Sequence, residues 1–145
     1  MKIVVDTNVL LRDAIHDNRL QAQIAANVLA SAELVAIPVA VLCEFVWVLR
    51  QGYKKPAEEI GDAIRKLLRS SSVATNRPAV EAGLELLDKG GDFADGAIAY
   101  EGEWLGAEEF VSFDRKAVSL LKSQGKRARL LSYNHEPHFR EVSVD

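Results

Sequence analysis

The sequence predicts a mixed α/β domain whose strands form a central, mainly parallel sheet with helices on both faces. Short apolar runs rich in β-branched residues alternate along the chain with longer segments of helical periodicity. Two of these runs end in an aspartate that is followed at once by a helical segment, at Asp6 and at Asp114. Strands and helices that alternate in this way typically form a three-layer α/β/α arrangement.

The overall composition is typical of a single globular domain. The chain has 145 residues, of which 48% are hydrophobic and 27% are charged. We expect one domain over residues 1–131, followed by a polar tail at 132–145 for which partial disorder is one expectation. One cysteine, Cys43, excludes an intrachain disulfide, and neither a signal-peptide pattern nor an apolar run of about 20 residues is present. A cytoplasmic location is therefore expected.

Charge is unevenly distributed along the chain, although the net charge is only −3. Residues 81–109 contain nine acids against one base, and residues 115–129 contain six bases and no acid. A smaller basic cluster comprises Arg50, Lys54 and Lys55. An acidic region beside basic segments could hold a cation and a polyanion together, and solvated helix faces are the alternative interpretation.

The first apolar run, Ile3 to Val5, predicts a strand buried on both faces in the centre of the sheet. Asp6 would then lie at the carboxyl end of a central strand, where open parallel sheets bind ligands. The alternative role of Asp6 is to cap the next helix, and Thr7 or Asn8 could do so instead.

The remaining elements follow from apolar periodicity, capping residues and glycine or proline breaks. We expect helices at residues 9–12, 19–31, 39–50, 56–69, 78–89, 93–105 and 115–124, and further strands at 33–37, 109–113 and 128–131, with a short strand possible within 70–75.

The segment 39–50 is apolar on nearly every side, so we expect this helix to be buried. Its one acid, Glu44, has no base three or four residues away. A buried lone carboxylate is costly unless it is paired, protonated or bound to a metal. Glu44 is therefore a candidate ligand, and a surface position is the alternative.

The segment 90–95 (GGDFAD) ends one helix and begins another. Asp92 suits the cap of the second helix, and Asp95 lies in its first turn, where an acid is favourable. The small residues around it, Ala94, Gly96 and Ala97, would allow close backbone approach and a confined cleft.

Four acids, Asp6, Glu44, Asp95 and Asp114, can meet at the carboxyl edge of such a sheet. Two carboxylates about 5 Å apart repel by roughly 3 kcal/mol at an effective dielectric of about 20, so four need compensation. A hard divalent cation such as Mg²⁺ or Mn²⁺ provides it and suits phosphodiester hydrolysis.

Other chemistries have less support in the sequence. Neither a phosphate-binding glycine loop nor GxGxxG is present. Cys43 lies in an apolar helix and is expected to be part of the core. His16, His135 and His138 lie in polar stretches and lack zinc-ligand spacing.

The chain resembles the PIN-domain nucleases and, within them, the VapC-type toxins of prokaryotic toxin–antitoxin pairs. Four motifs in order carry the resemblance: VVDTN at 4–8, PVAVLCEFVWVL at 38–49, GDFADGAIA at 91–99 and FVSFDRKA at 110–117. It covers about residues 1–131, and one departure is Gly96, where alanine is commoner in the family. We expect this departure to lower helix propensity slightly and to leave catalysis unaffected.

The resemblance implies a metal-dependent endoribonuclease toxin. Asp6, Glu44, Asp95 and Asp114 match the family's acidic quartet, which binds Mg²⁺ or Mn²⁺ for RNA cleavage. Supporting positions are matched by Asn8, Ser112 and Asp92. The resemblance also implies a homodimer and a VapB-like antitoxin whose C-terminal segment occupies the acidic groove.

The basic residues complete the set of candidates, with RNA as their expected partner: Arg115, Lys116, Arg50, Lys54 and Lys55. Two other functions remain open. A PIN-like module could bind RNA without cutting it. A phosphatase of the haloacid-dehalogenase type also begins with a strand and an aspartate, but it needs a second aspartate two residues on, where this chain has Asn8.

Overall fold

The computed structural model describes residues 1–132 and confirms a mixed α/β fold with parallel strands. The elements in chain order are β1 (Lys2–Val4), α1 (Thr7–Ala14), α2 (Arg19–Ser31), β2 (Leu34–Ala36), α3 (Val39–Trp47), α4 (Ala57–Arg69), β3 (Val73–Ala74), α5 (Arg77–Asp88), α6 (Phe93–Trp104), β4 (Phe110–Ser112), α7 (Arg115–Ser123) and β5 (Ala128–Leu130). A π-helical turn, Val48–Gly52, directly continues α3. His135 and His138 lie outside the described residues.

The predicted helix starts are confirmed where a polar side chain caps the helix. Asn76 accepts a hydrogen bond from the backbone N–H of Ala79 at 3.4 Å and begins α5. The side chain of Asp92 accepts from Ala94 N–H at 3.1 Å and begins α6. Such caps satisfy backbone donors that have no partner within the helix. Local sequence therefore determined where these helices begin.

The strands of the described chain form two parallel sheets, and this corrects the position expected for the first strand. One sheet has the order β1-β2-β3 and the other pairs β4 with β5. β1 is thus an edge strand and β2 the central one, with Ile3 opposite Val35. Val4 is 69% exposed on this edge strand, so β1 is not buried on both faces. β4 likewise has an exposed residue, Val111, in its middle.

Two apolar cores hold the described elements together. The larger one joins the first sheet to α1, α3, α4, α5 and α6, and its fully buried residues include Phe45, Ile60 and Phe93. The smaller one connects Leu86 of α5 with Leu121 of α7 beside the second sheet. The second sheet and α7 are therefore attached through the helix pair α5–α6, which fixes where the end of β4 lies.

The helix that contains Glu44 departs from the prediction. It buries Leu42, Phe45 and Val46, but Glu44 and Trp47 are exposed, because no described element covers that stripe. The expectation of a buried Glu44 was therefore wrong. The average apolar content of a segment does not show whether other elements cover the helix on every side. A helix with an exposed stripe that contains a tryptophan has the same average as a fully buried one.

The longest helices, α2 and α4, have 13 residues each. Within residues 1–132, no helix combines the length and the apolar character that crossing a membrane requires.

Candidate active site

A pocket of about 310 Å³ brings together parts of α3, α6 and α7. Its lining includes three acids, two bases and an aromatic ring: Asp92, Asp95, Asp114, Arg50, Lys116 and Trp47. The acids come from the N-terminal ends of α6 and α7, and the bases come from the π-helical turn and α7. Acids and bases from separate elements therefore line one opening.

Asp114 is held at the end of β4 by three hydrogen bonds. Its Oδ1 accepts from the backbone N–H groups of Lys116 at 3.0 Å and Ala117 at 3.1 Å, which makes it the N-cap of α7. Its own backbone N–H donates to the hydroxyl of Ser112 at 2.9 Å. Ser112, predicted as a supporting residue, thus contacts Asp114 directly and fixes the turn between β4 and α7.

Asp95 is the acid whose ionisation the fold disturbs most clearly. Its pKa is raised from 3.8 to about 6, first by burial and then by the negative charges of Asp92 and Asp114. Burial and like charges both disfavour the ionised form of a carboxyl group. The three acids therefore interact, and nearby positive charge does not fully offset their repulsion. Shifts of this kind are common at functional sites.

Asp6 and Glu44 are not among the residues that line this pocket. Asp6 is exposed and caps α1, since its side chain accepts from Val9 N–H at 3.2 Å. Asn8 is exposed in the first turn of α1. Glu44 lies one helical turn before Trp47, on the same exposed stripe of α3, so it stands near the rim of the pocket.

The donor set suits a hard cation in its chemistry. Carboxylate oxygens are the ligands that Mg²⁺ and Mn²⁺ prefer, and after burial the negative charges of Asp92 and Asp114 contribute to the raised pKa of Asp95. The distances between the acids fit a metal site less well than their chemistry does. Within residues 1–132, no group of three or more Asp, Glu, His or Cys side chains is close enough to hold one metal ion. The assignment of all four acids to one metal site stays a prediction.

The predicted basic residues divide into two groups. Arg50 and Lys116 line the pocket, and within the described chain neither forms an ion pair. Lys55, two residues before the start of α4, instead pairs with Glu59 in its first turn at 3.8 Å. Arg115 and Lys54 are exposed and do not line the pocket. The structure therefore favours two of the five candidates.

Cys43 belongs to the core, as predicted. It packs against the larger apolar core, and its pKa is raised to about 11, first by burial and then by the charges of Asp92 and Glu101. A thiol with this pKa is neutral at pH 7 and is a poor nucleophile. His16 bonds through Nε2 to the backbone carbonyl of Asp13 at 2.9 Å.

Sequence reasoning missed Trp47. Its ring is 65% exposed and lines the pocket together with Asp95 and Asp114. The spacing contained the signal, because Trp47 and Arg50 follow Glu44 at three-residue intervals and so continue along one side of the helix. Its apolar character was interpreted as core packing instead.

Comparison with known proteins places the chain in a family. No curated protein matches the chain. The family profile described as the PIN domain matches residues 3–122, which is more than half of the sequence. PIN domains are generally nucleases and typically use divalent metals. The chain therefore belongs to the PIN-domain family.

Proposed function

We propose that this PIN domain is a metal-dependent endoribonuclease that hydrolyses phosphodiester bonds in RNA. The observation that carries the proposal is the raised pKa of Asp95 in the acidic pocket. This pKa is raised to about 6 in a pocket shared with Asp92 and Asp114, and the same pocket is lined by Arg50 and Lys116, which form no ion pair within residues 1–132. A pocket lined by both acids and bases suits a divalent cation and a polyanion.

The residues that would hold the cation are the four acids of the resemblance, Asp6, Glu44, Asp95 and Asp114. A bound divalent cation would supply Lewis-acid polarisation of a phosphate oxygen and activation of water. Asp114 is already oriented by the N-terminus of α7, so its carboxylate needs little ordering. Asp95 ionises more easily once positive charge is near, which favours binding as pH rises above about 6.

The chain's own cations would position the substrate. Arg50 and Lys116 line the same pocket as the acids, and neither is engaged in an ion pair within residues 1–132. They can therefore contact the phosphates that flank the cleaved bond without first losing an internal partner.

We further propose that the nuclease acts in the cytoplasm as the toxin of a toxin–antitoxin pair, as a homodimer with a VapB-like antitoxin. This assignment rests on the resemblance of the four motifs to VapC-type toxins. The antitoxin's C-terminal segment would then occupy the acidic pocket.

The test is cleavage of total RNA by the purified chain with Mg²⁺ or Mn²⁺, in parallel with EDTA. We expect cleavage that depends on the metal and that is lost in Asp95→Asn and Asp114→Asn. Glu81→Gln is the matched control, because Glu81 is an exposed acid on α5 that does not line the pocket. Equal cleavage by Asp95→Asn and wild type would overturn the assignment of the site.

One observation favours a second candidate, an RNA-binding module that does not cut. The acids within the described chain do not gather at metal-ligand spacing. The same samples distinguish the two functions: RNA binding by gel shift without any metal-dependent cleavage would support the binding module.

A further inference from the structure

We propose that Asp17 and Tyr53 are positioning residues for Arg50, which they hold at the acidic pocket by fixing the turn that follows α3. The inference rests on the proposed function and deepens it, since Arg50 is one of the two cations proposed to contact phosphates. Neither Asp17 nor Tyr53 is among the residues that line the pocket. Both act on the backbone of the turn and not on the substrate.

The backbone around Arg50 is irregular on both sides of this residue. Arg50 lies inside the π-helical turn Val48–Gly52. The backbone N–H of Tyr53 closes this turn on the carbonyl oxygen of Val48 at 3.2 Å. Lys54 then has a φ of +56°, in the left-handed region that residues other than glycine rarely adopt. Single π-helical turns and such left-handed residues cluster at functional sites, where the surrounding structure must hold them in place.

Asp17 connects the end of this turn to α1. Its Oδ1 accepts a hydrogen bond from the guanidinium of Arg12 at 3.1 Å, and its Oδ2 accepts from the hydroxyl of Tyr53 at 3.3 Å. Arg12 belongs to α1, which Leu10 and Leu11 fix in the larger apolar core. The carboxylate therefore joins two segments of the chain that lie 36 residues apart.

Tyr53 transmits this anchor to Arg50. Its ring packs against the larger core, its backbone N–H closes the π-helical turn, and its hydroxyl is held by Asp17. Without the bond to Asp17, the ring can rotate and the end of the turn loses one fixed point. Because Arg50 lies three residues earlier in the same turn, a change in the turn moves its guanidinium relative to the acids. Displacements of about 1 Å are enough to weaken a productive contact.

The alternative is a network that only stabilises the fold. Leu49, next to Arg50, is buried and attaches the turn to the core independently of Asp17. The side chains of Arg12 and Asp17 are partly exposed, so their ion pair contributes little to stability. A stabilising role predicts effects that do not depend on Arg50. A positioning role predicts effects on RNA binding that disappear when Arg50 is absent.

A double-mutant cycle distinguishes these two roles. Tyr53→Phe removes only the hydroxyl, and Asp17→Ala removes both hydrogen bonds of the carboxylate. The probe is a short oligoribonucleotide in EDTA, which prevents metal-dependent cleavage. We expect each variant to bind it about 2- to 5-fold more weakly than wild type, as for the loss of one partly exposed hydrogen bond. In an Arg50→Ala background, neither substitution should weaken binding further.

Tyr100→Phe and Asp13→Ala are the matched controls. Tyr100 on α6 also packs against the larger core, and Asp13 follows Arg12 on α1. Within residues 1–132, neither the hydroxyl of Tyr100 nor the carboxylate of Asp13 forms a hydrogen bond or an ion pair. Both controls should leave RNA affinity unchanged in either background.

Two further measurements follow the turn and the reaction separately. In Tyr53→Phe and Asp17→Ala, the backbone N–H groups of Tyr53 and Lys55, which donate to carbonyls of the turn, should exchange faster with solvent. The amides of α4 should exchange as in wild type. With Mn²⁺, KM for RNA should rise by the same factor as the loss of affinity, and kcat should stay close to wild type.

The outcomes separate this inference from the proposed function. If Tyr53→Phe weakens RNA binding equally with and without Arg50, the network does not act through Arg50, and the inference is refuted while the nuclease stands. Wild-type affinity in both Tyr53→Phe and Asp17→Ala refutes it as well. If Asp17→Ala does not fold, the conservative variant Tyr53→Phe decides. If wild type neither binds nor cleaves RNA, the proposed function fails and this inference fails with it.

Discussion

Replacing Asp95 with asparagine tests the electrostatics of the pocket in the absence of any metal. The pKa of Asp95 is raised from 3.8 to about 6, first by burial and then by Asp92 and Asp114. Between about pH 4 and pH 6 the folded chain therefore holds a proton that the unfolded chain has released. Stability falls as pH rises through this window, and the full penalty is present above about pH 6.

The magnitude follows from the size of this displacement. A change from 3.8 to about 6 corresponds to about 2 pH units, and each pH unit is worth about 1.36 kcal/mol, which gives a ceiling of about 3 kcal/mol. Asp95 is only partly buried, so solvent screening should reduce this to roughly 1–2 kcal/mol. Asp95→Asn keeps the shape and removes the charge. It should exceed wild type by that amount above pH 6 and match it near pH 4.

The assay is urea unfolding of both proteins in EDTA at several pH values from 4 to 8. Glu81→Gln serves as the control, because this exposed acid lies outside the pocket. Its difference from wild type should stay small and independent of pH. A stability difference for Asp95→Asn that does not grow between pH 4 and pH 6 would refute the account of the acidic pocket.

Three further predictions test the helices and the cations. Asp6→Asn should keep the free energy of unfolding within about 0.5 kcal/mol of wild type, because asparagine caps helices as well as aspartate does. The variant should lose RNA cleavage if the charge of Asp6 binds metal. Urea unfolding measures the stability, and the RNA assay measures the cleavage. Gly96→Ala should destabilise the fold by about 1–3 kcal/mol, because its Cβ would lie 2.4 Å from a backbone oxygen of α5. Gly102→Ala in the same helix meets no such contact and should stabilise the fold by about 0.4–1 kcal/mol. Thermal melting of the two variants measures the difference. Arg50→Glu and Lys116→Glu should each reduce the salt dependence of RNA affinity by about 0.7 log units per log unit of salt. If the slope of log affinity against log salt does not change, these residues are solvated surface charges that do not contact phosphates.

Sequence predicted the elements well where the determining interaction is local. The caps at Asn76, Asp92 and Asp114 act on backbone groups two or three residues away, so the chain itself contains the whole interaction. The helix expected at 78–89 was also correct, because α5 spans Arg77–Asp88 and buries Val80 and Leu84, which lie four residues apart on one face. These signals need no knowledge of the other elements.

Sequence failed where burial depends on which distant elements cover a surface. The run Ile3 to Val5 indicates a strand, but only pairing with other strands decides whether that strand is central or at an edge. Glu44 was expected to be buried because its helix is rich in apolar residues. In the structure, Glu44 and Trp47 lie on a stripe of α3 that no described element covers. The composition of a helix does not show which other elements will pack against it.

The site was predicted in part for the same reason. Asp95 lies in the first turn of α6 and Asp114 caps α7, and both positions could be inferred locally. Their meeting in one pocket depends on the attachment of α7 to the α5–α6 pair through Leu86 and Leu121, which no local pattern specifies. Trp47 and Lys116 reach that pocket from separate elements, so its aromatic and basic components became visible only in three dimensions.

Gly96 shows how a small departure from a family pattern can be structural. On sequence alone, glycine in place of alanine only lowers helix propensity. In the fold, a Cβ at this position would lie 2.4 Å from the backbone oxygen of Ala82, so α6 can approach α5 this closely only with glycine. Asp95 is the preceding residue, so this close approach of the two helices lies directly beside an acid of the pocket. The glycine therefore has a packing role next to the site, although it offers no functional group to the chemistry.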